Sequence, residues 1–290
     1  LLALNGAFQE DGYALILEET ALVDGLVEVL HINAGAAVSQ PRNIIAVGAG
    51  ARVRLLETHV GIDTSTQFFN GATLVTVDEG AKVEHLRHQM QPVSTVHINT
   101  IRAHVAVGAS YNSFVLAEGG QMSRDEIQVA LMGKAASTKL HGVYLGSGSQ
   151  VLDNTTVIGH QAPGTKSEEN YRGALNDQSR GVFQGNILVQ NGADGTDGRM
   201  SNKTILLSGE AEINSKPQLE IYADDVQCAH GSTAGELEEE ALFYLRSRGI
   251  PEAEAKTILV EGFLAEVMEE FGLGELAGAF RARISSWMEA

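Results

Sequence analysis

The chain has 290 residues, with 37 acidic and 20 basic side chains and a formal net charge of −17 at pH 7. This charge argues against unassisted binding to nucleic acid or to an anionic membrane, because both need a basic surface. No apolar run reaches the length of a membrane span, and the single cysteine, which excludes an intramolecular disulfide, suits a reducing compartment.

The chain begins at Leu1, without an initiator methionine or the pattern of a signal peptide. We therefore expect a cytoplasmic protein whose N-terminal region is missing from this sequence. The length suits one large domain or two smaller ones, with enough residues to bury a substantial core.

Between Asn33 and Val151 one unit recurs, which is a glycine turn, a small residue and a run of alternating apolar positions. Alternation with a period of two predicts half-buried strands, as in Ala72–Val77. The turns recur at spacings of about 15 residues or about twice that number, which is typical of solenoid repeats. The turn glycines are Gly35, Gly50, Gly80, Gly108 and Gly148. The pattern favours a mainly β protein, a parallel β-helix over about residues 6–225, and leaves an antiparallel sandwich or barrel as the alternative.

Other motifs in the chain do not indicate a catalytic or nucleotide site. In a strand, His85 and His88 face opposite sides, so this pair does not share one metal ion. We expect the nine histidines at surface or ladder positions. The run Gly192–Gly198 resembles a calcium loop, but it lacks the bidentate glutamate, which favours a cluster of β-turns. The glycine spacings do not fit phosphate-binding loops, so the chain is not expected to bind ATP itself.

The only cysteine, Cys228, lies two residues before His230 at a change of periodicity. If residues 227–230 are extended, the two side chains project from the same face of a strand. Thr233 and Glu236 have the spacing of a helix capping box. A soft metal ligand or reactive thiol is therefore predicted beside an imidazole, at a junction between sheet and helix.

Helical spacing begins after this junction. The sequence predicts helices at about Leu237–Arg248 and Glu252–Phe271, and a third helix along the stripe that begins at Leu276. We place the domain boundary near Ser232, with a β-helix core over residues 1–231 and a C-terminal helical domain over residues 232–290.

The segment from Lys216 to Gly249, with the run Cys-Ala-His-Gly-Ser-Thr at 228–233, resembles the C-terminal signature of the SufB/SufD family of the Suf iron–sulfur cluster assembly system. The similarity continues through residues 179–189, 193–208 and 241–263. Gly231 resembles the SufD branch of the family, because the SufB branch usually has an acidic residue after the histidine.

The resemblance implies a right-handed parallel β-helix and a non-enzymatic scaffold subunit that works in a complex with SufB and the ATPase SufC. It also implies that the cluster assembles at the interface with SufB. His230 would then be an iron ligand or a proton-handling group that faces the partner, and Cys228 an auxiliary thiol. An iron–sulfur cluster takes four ligands, mostly thiolates, so this chain is not expected to hold one stably by itself. The expected cofactor is a cluster bound transiently and shared with the partner chain.

The resemblance places the SufC-binding surface on the C-terminal helices. We expect Leu237, Ala241 and Leu245 to bury against the end of the solenoid. Other large apolar side chains would then need a cover, either the ATPase or the third helix. These residues are Phe243, Tyr244, Val260, Leu264 and Met268.

Two alternative functions remain open from the sequence. A SufB-type scaffold is disfavoured by Gly231 and by the lack of further cysteines. A β-helix enzyme acting on polysaccharide would need aromatic platforms for sugars, and the only tryptophan, Trp287, lies in the helical tail. We expect heterodimers with a SufB-like subunit, with a homodimer as the possible form of the isolated chain.

Overall fold

Glycine turns join strands of about ten residues into the successive coils of a parallel β-solenoid. The structure is a computed structural model that describes residues 1–289. The strands are β1 Ala14–Leu17, β2 Leu22–Asn33, β3 Val38–Ser39, β4 Arg42–Val47, β5 Arg52–Gly61, β6 Gln67–Val77, β7 Lys82–Gln89, β8 Thr95–Val105, β9 Ser110–Ala117, β10 Met122–Leu131, β11 Ser137–Gly146, β12 Val151–His160, β13 Lys166–Leu175, β14 Arg180–Val189, β15 Thr196–Leu206, β16 Glu212–Ile221 and β17 Val226–Gly235. The helices are α1 Leu2–Phe8, α2 Glu239–Ser247, α3 Glu252–Phe271 and α4 Leu276–Glu289.

The strands form two sheets that face each other across the interior of the solenoid. We call them sheet A, in the order β1-β4-β6-β8-β10-β12-β14-β16 with β3 on β6, and sheet B, in the order β2-β5-β7-β9-β11-β13-β15-β17. The chain passes from one sheet to the other with almost every strand, so each coil of roughly 30 residues adds one rung to both. The pairings are parallel, for example Ser137 with Lys166 and Lys166 with Asp197. The predicted parallel β-helix is confirmed, and the antiparallel sandwich is excluded.

The five predicted turn glycines all lie in the left-handed region of backbone conformation. Gly35, Gly50, Gly80, Gly108 and Gly148 have φ between +57° and +68°. Glycine adopts this conformation without the steric cost of a Cβ atom, which is why it recurs where one strand must turn into the next.

Both faces of sheet B are buried along its middle strands. The inward face contributes Leu55, Val83 and Tyr111 to the solenoid core. The outward face contributes a second apolar cluster, which packs against α3 and α4. Its sheet residues are Leu56, Leu86, Phe114, Leu116, Val143, Leu145 and Ala174.

A buried arginine fastens α3 to this outward face. The side chain of Arg172 is 2% exposed, and its Nη1 donates a hydrogen bond of 2.6 Å to the carbonyl oxygen of Phe263. Its Nη2 lies 2.7 Å from Oε2 of Glu266, and the guanidinium stacks on the Phe263 ring. Helix α3 therefore lies along the side of the solenoid, against sheet B.

The boundaries at the C-terminal junction differ in part from those predicted. The prediction of Glu252–Phe271 is confirmed, and a third helix is present as α4. However, Thr233 lies within β17 and forms no helix cap, because the small residues 231–235 continue the ladder beside β15. The solenoid thus extends to Gly235, and α2 begins at Glu239 without a side-chain cap.

The N-terminal helix α1 was not predicted, and it packs beside β6. Its buried Asn5 donates hydrogen bonds to the carbonyl oxygens of Pro41 and Asn70. Within residues 1–289, no helix has both the length and the apolar character needed to cross a membrane.

Candidate functional site at the open end of the solenoid

The last coil of the solenoid ends in two strands with a free edge. β16 pairs with β14, and β17 pairs with β15. Among residues 1–289, no strand pairs with the other edge of either one. Most residues of both strands are exposed or only half-buried. An exposed edge of this kind offers unpaired N–H and C=O groups to a strand of another chain.

Cys228 and His230 lie on the inward face of β17. Cys228 is in register with Gly198, and His230 is in register with Met200, whose side chain belongs to the solenoid core. Because side chains alternate along a strand, the two residues share one face, as the sequence predicted. The backbone places a thiol and an imidazole side by side at the mouth of the interior.

Cys228 is half-buried and packs against the core. A Cβ atom on Gly198 would lie 3.4 Å from its Sγ, so the glycine leaves room for the sulfur. Burial raises the pKa of the Cys228 thiol, and the charge of Asp197 adds to this effect, although the backbone of Gly198 opposes it. In the isolated chain the group is therefore mainly a thiol at neutral pH and a weak nucleophile.

His230 is exposed, and a protonatable acid lies further inward on the same ladder. The order is His230, Met200 and then Glu169 on β13. Burial raises the pKa of Glu169 to about 8, while a hydrogen bond from the hydroxyl of Thr156 partly offsets this rise. An imidazole that can bind a metal thus lies two strands away, along the same ladder, from a buried and largely neutral carboxylic acid.

The predicted ATPase-binding residues fall into two groups. Phe243 and Tyr244 on α2 are 73% and 56% exposed, as expected for a surface that a partner could cover. Val260, Leu264 and Met268 are at most 1% exposed. Of the two covers that the sequence left open, the third helix is present as α4, and together with the outward face of sheet B it covers these three residues. Their assignment to the ATPase-binding surface is therefore corrected.

The apolar stripe predicted for the first C-terminal helix is half-buried in the structure. Leu237, Ala241 and Leu245 are each partly buried, and Leu237 packs against the cluster on the outward face of sheet B. The contact is therefore along the side of the solenoid.

Two further groups of polar residues were not singled out from the sequence. His31, Glu57 and His59 meet inside the N-terminal coils, and His141, Glu168 and Glu270 meet where sheet B contacts α3. In each group the possible ligand atoms lie within 4.8 Å of one another. His31 and His59 are one coil apart and pair in register, so the first group can be recognised only once the length of a coil is known.

The chain matches known proteins over most of its length. A family model described as the SUF system FeS cluster assembly SufBD core domain matches residues 30–263. The chain is 31% identical to the iron–sulfur cluster assembly protein SufD of Escherichia coli over 249 residues, which cover 83% of this chain and 58% of that protein. It is 30% identical to an iron–sulfur cluster assembly SufBD family protein of Synechocystis, over 85% of this chain and 56% of that protein.

A third relative is the chloroplastic protein ABCI7 of Arabidopsis thaliana, with 30% identity over 85% of this chain and 52% of that protein. The chain thus spans little more than half the length of these curated relatives. The resemblance drawn from the Cys228–Thr233 run and its neighbouring segments is confirmed, and the chain belongs to the SufBD family of iron–sulfur cluster assembly proteins, with SufD among its similar relatives.

Proposed function

We propose that this chain is the SufD-type, non-catalytic scaffold subunit of a cytoplasmic Suf assembly complex. It pairs with a SufB-like subunit through the open end of the solenoid. The observation that carries this proposal is the exposed edge of β16 and β17, which lies beside the inward-facing Cys228 and His230. In the isolated chain the same edge could pair two copies into a homodimer.

The iron–sulfur cluster is the cargo of this interface, held transiently between the two subunits. One thiol and one imidazole fall short of the four ligands that a cluster takes, so the SufB-like subunit supplies the others. His230 serves as the iron ligand or proton-handling group from this side. Cys228 is an auxiliary thiol, and its raised pKa suits a group that becomes a thiolate only when iron is bound close by.

The contact with a SufC-like ATPase lies on α2. Phe243 and Tyr244 are neighbours with more than half of their surface exposed, which supports an aromatic anchor for a partner. Val260, Leu264 and Met268 act indirectly, because they hold α3 and thereby α2 on sheet B.

A SufB-type scaffold is the second candidate. It is disfavoured because this chain has a single cysteine, and a subunit that builds clusters needs more thiolates. Gly231 also departs from the acidic residue of the SufB branch. The similarity to SufD supports the first assignment.

The test is anaerobic reconstitution of the purified three-subunit complex, with cluster absorbance measured per mole of complex. We expect His230→Ala to co-elute with both partners and to form little cluster, because the change removes a ligand from an exposed position. The matched control is His104→Ala, an exposed histidine on β8 far along the solenoid, which should reconstitute normally. A wild-type cluster yield from His230→Ala would remove this residue from the mechanism.

A further inference from the structure

A group of three potential metal-ligating side chains lies inside the N-terminal coils, remote from Cys228 and His230 along the sheet. His31 on β2, Glu57 on β5 and His59 on β5 offer two imidazoles and one carboxylate. We propose that these three side chains form a binding site for one divalent first-row transition-metal ion. This inference does not depend on the proposed function, because it rests only on residues 13–97 of this chain.

The distances suit ligands around an ion better than they suit hydrogen bonds. His31 Nε2 lies 3.8 Å from Glu57 Oε1, and His59 Nε2 lies 3.9 Å from Glu57 Oε2. Both are longer than a charge-assisted hydrogen bond, which measures about 2.7–2.9 Å. Ligand atoms about 2.1 Å from a tetrahedral ion are about 3.4 Å apart, so a small adjustment would close the site.

The nitrogen atoms are buried without hydrogen-bond partners. This holds for Nε2 of His31 and for both ring nitrogens of His59, a residue that is 2% exposed. A buried polar atom without a partner lowers stability and calls for an explanation such as an ion. Two imidazoles and one carboxylate form a ligand set that binds ions such as Fe²⁺, Co²⁺ and Zn²⁺.

The surrounding residues hold the ligands in this arrangement. Glu57 accepts a hydrogen bond from the hydroxyl of Tyr13 and faces His85, whose Nε2 lies 3.2 Å from its Oε2. The other ring nitrogen of His85 is 3.0 Å from the hydroxyl of Tyr111. Such contacts from outside the ligand set fix the orientation of metal ligands. Glu57 is thus held by Tyr13 at one carboxylate oxygen and faces His85 at the other.

The site lies at the outer end of sheet B. β2 is the outermost strand of sheet B, and no strand among residues 1–289 covers its other edge. The His31 side chain is 12% exposed, whereas Glu57 is 1% exposed. His31 and His59 stack with their centroids 4.4 Å apart, and Phe69 packs edge-on against both rings. The group thus has an apolar wall, and His31 is the most exposed of its three side chains.

The experiment uses the chain after removal of metal with EDTA, titrated with Co²⁺ and, without oxygen, with Fe²⁺. We expect about one ion per chain and cobalt ligand-field bands without a thiolate charge-transfer band, since the set contains no sulfur. Glu57→Gln and His31→Gln should each weaken binding about tenfold or more, and the rise in melting temperature with Co²⁺ should vanish. The matched control is His160→Gln, a buried histidine whose ring nitrogens both have hydroxyl partners.

Two further measurements identify the ligands in the wild type and test the second group of residues. X-ray absorption of the cobalt-loaded wild type should show at least two imidazoles, so the test survives if a variant fails to fold. Glu270→Gln tests the other group, at His141. Failure of the wild type to bind Co²⁺ or Fe²⁺ would overturn the site. Full binding by Glu57→Gln, a thiolate band, or loss of binding only in Glu270→Gln would do the same.

Discussion

Two regions of this chain have the sequence pattern of a partner-binding surface, but only one of them is covered by other residues of the chain. The second apolar stripe of α3, with Val260, Leu264 and Met268, is covered by the outward face of sheet B. The end of the solenoid, with Cys228 and His230 on β17, has a free edge. The apolar stripe is thus covered by the same chain, whereas the unpaired strand edge leaves N–H and C=O groups available to another chain.

The covered region should contribute to the stability of the chain. Leu264→Ala removes a fully buried side chain between α3 and sheet B and should lower the free energy of unfolding by about 2–5 kcal/mol. The control is Phe243→Ala on α2, which is largely exposed and should change stability by less than about 0.5 kcal/mol. Urea unfolding measures both, and a neutral Leu264→Ala would mean that α3 does not pack as described.

The stability of the folded chain should depend on pH because of Glu169, which lies in the interior behind the open end. Its pKa is raised from 4.5 to about 8, so the folded chain keeps a proton that the unfolded chain loses. The stability that this proton provides is complete below about pH 4.5 and is lost as pH rises through about 8. Between these limits Glu169 should lower stability by up to about 1.4 kcal/mol per pH unit.

The variant Glu169→Gln isolates this contribution, because it keeps the shape of the side chain and cannot ionise. Urea unfolding at several pH values should give a flatter profile for the variant than for the wild type. Glu79→Gln, at an exposed turn position, should follow the wild type. Parallel profiles for Glu169→Gln and wild type would show that the acid is ionised in the folded chain.

The smallest effect on the isolated chain is expected at Cys228. Cys228→Ser changes a half-buried thiol at the mouth of the interior, so the stability cost should be about 1 kcal/mol or less. Cluster yield in the reconstituted complex should fall, since the thiol lies beside His230. Cys228→Ala separates lost packing from lost chemistry, and an unchanged yield in both variants would assign Cys228 to packing alone.

The sequence predicted the features that depend on local geometry. Gly50 and Gly80 indicated their turns because few other residues adopt positive φ, and the period of a strand put Cys228 and His230 on one face. The sequence did not show which side of α3 faces the sheet, because this depends on the surface against which the helix packs. The run Phe114–Ala117 carries the relevant signal, because a strand with consecutive apolar residues is buried on both faces.

The interior group of His31, Glu57 and His59 could not be found from local spacing. Its members come together because one coil is 28 residues long here, from His31 to His59 (59 − 31), and only the register makes them neighbours. Residues 28 positions apart do not match the spacing of neighbours on a helix or of ligands in a zinc-binding motif. The capping box at Thr233 failed for a related reason, since pairing with β15 keeps that residue in a strand.

If the open end of the solenoid is the shared interface, hydrogen exchange should detect the partner at its last two strands. Backbone amide exchange of this chain is compared alone, at a concentration where it is monomeric, and in complex with the SufB-like subunit. Protection should appear in Glu212–Ile221 and Val226–Gly235, while the middle strands of both sheets stay unchanged. Unchanged exchange in these two strands, with new protection confined to another surface, would show that the interface lies elsewhere.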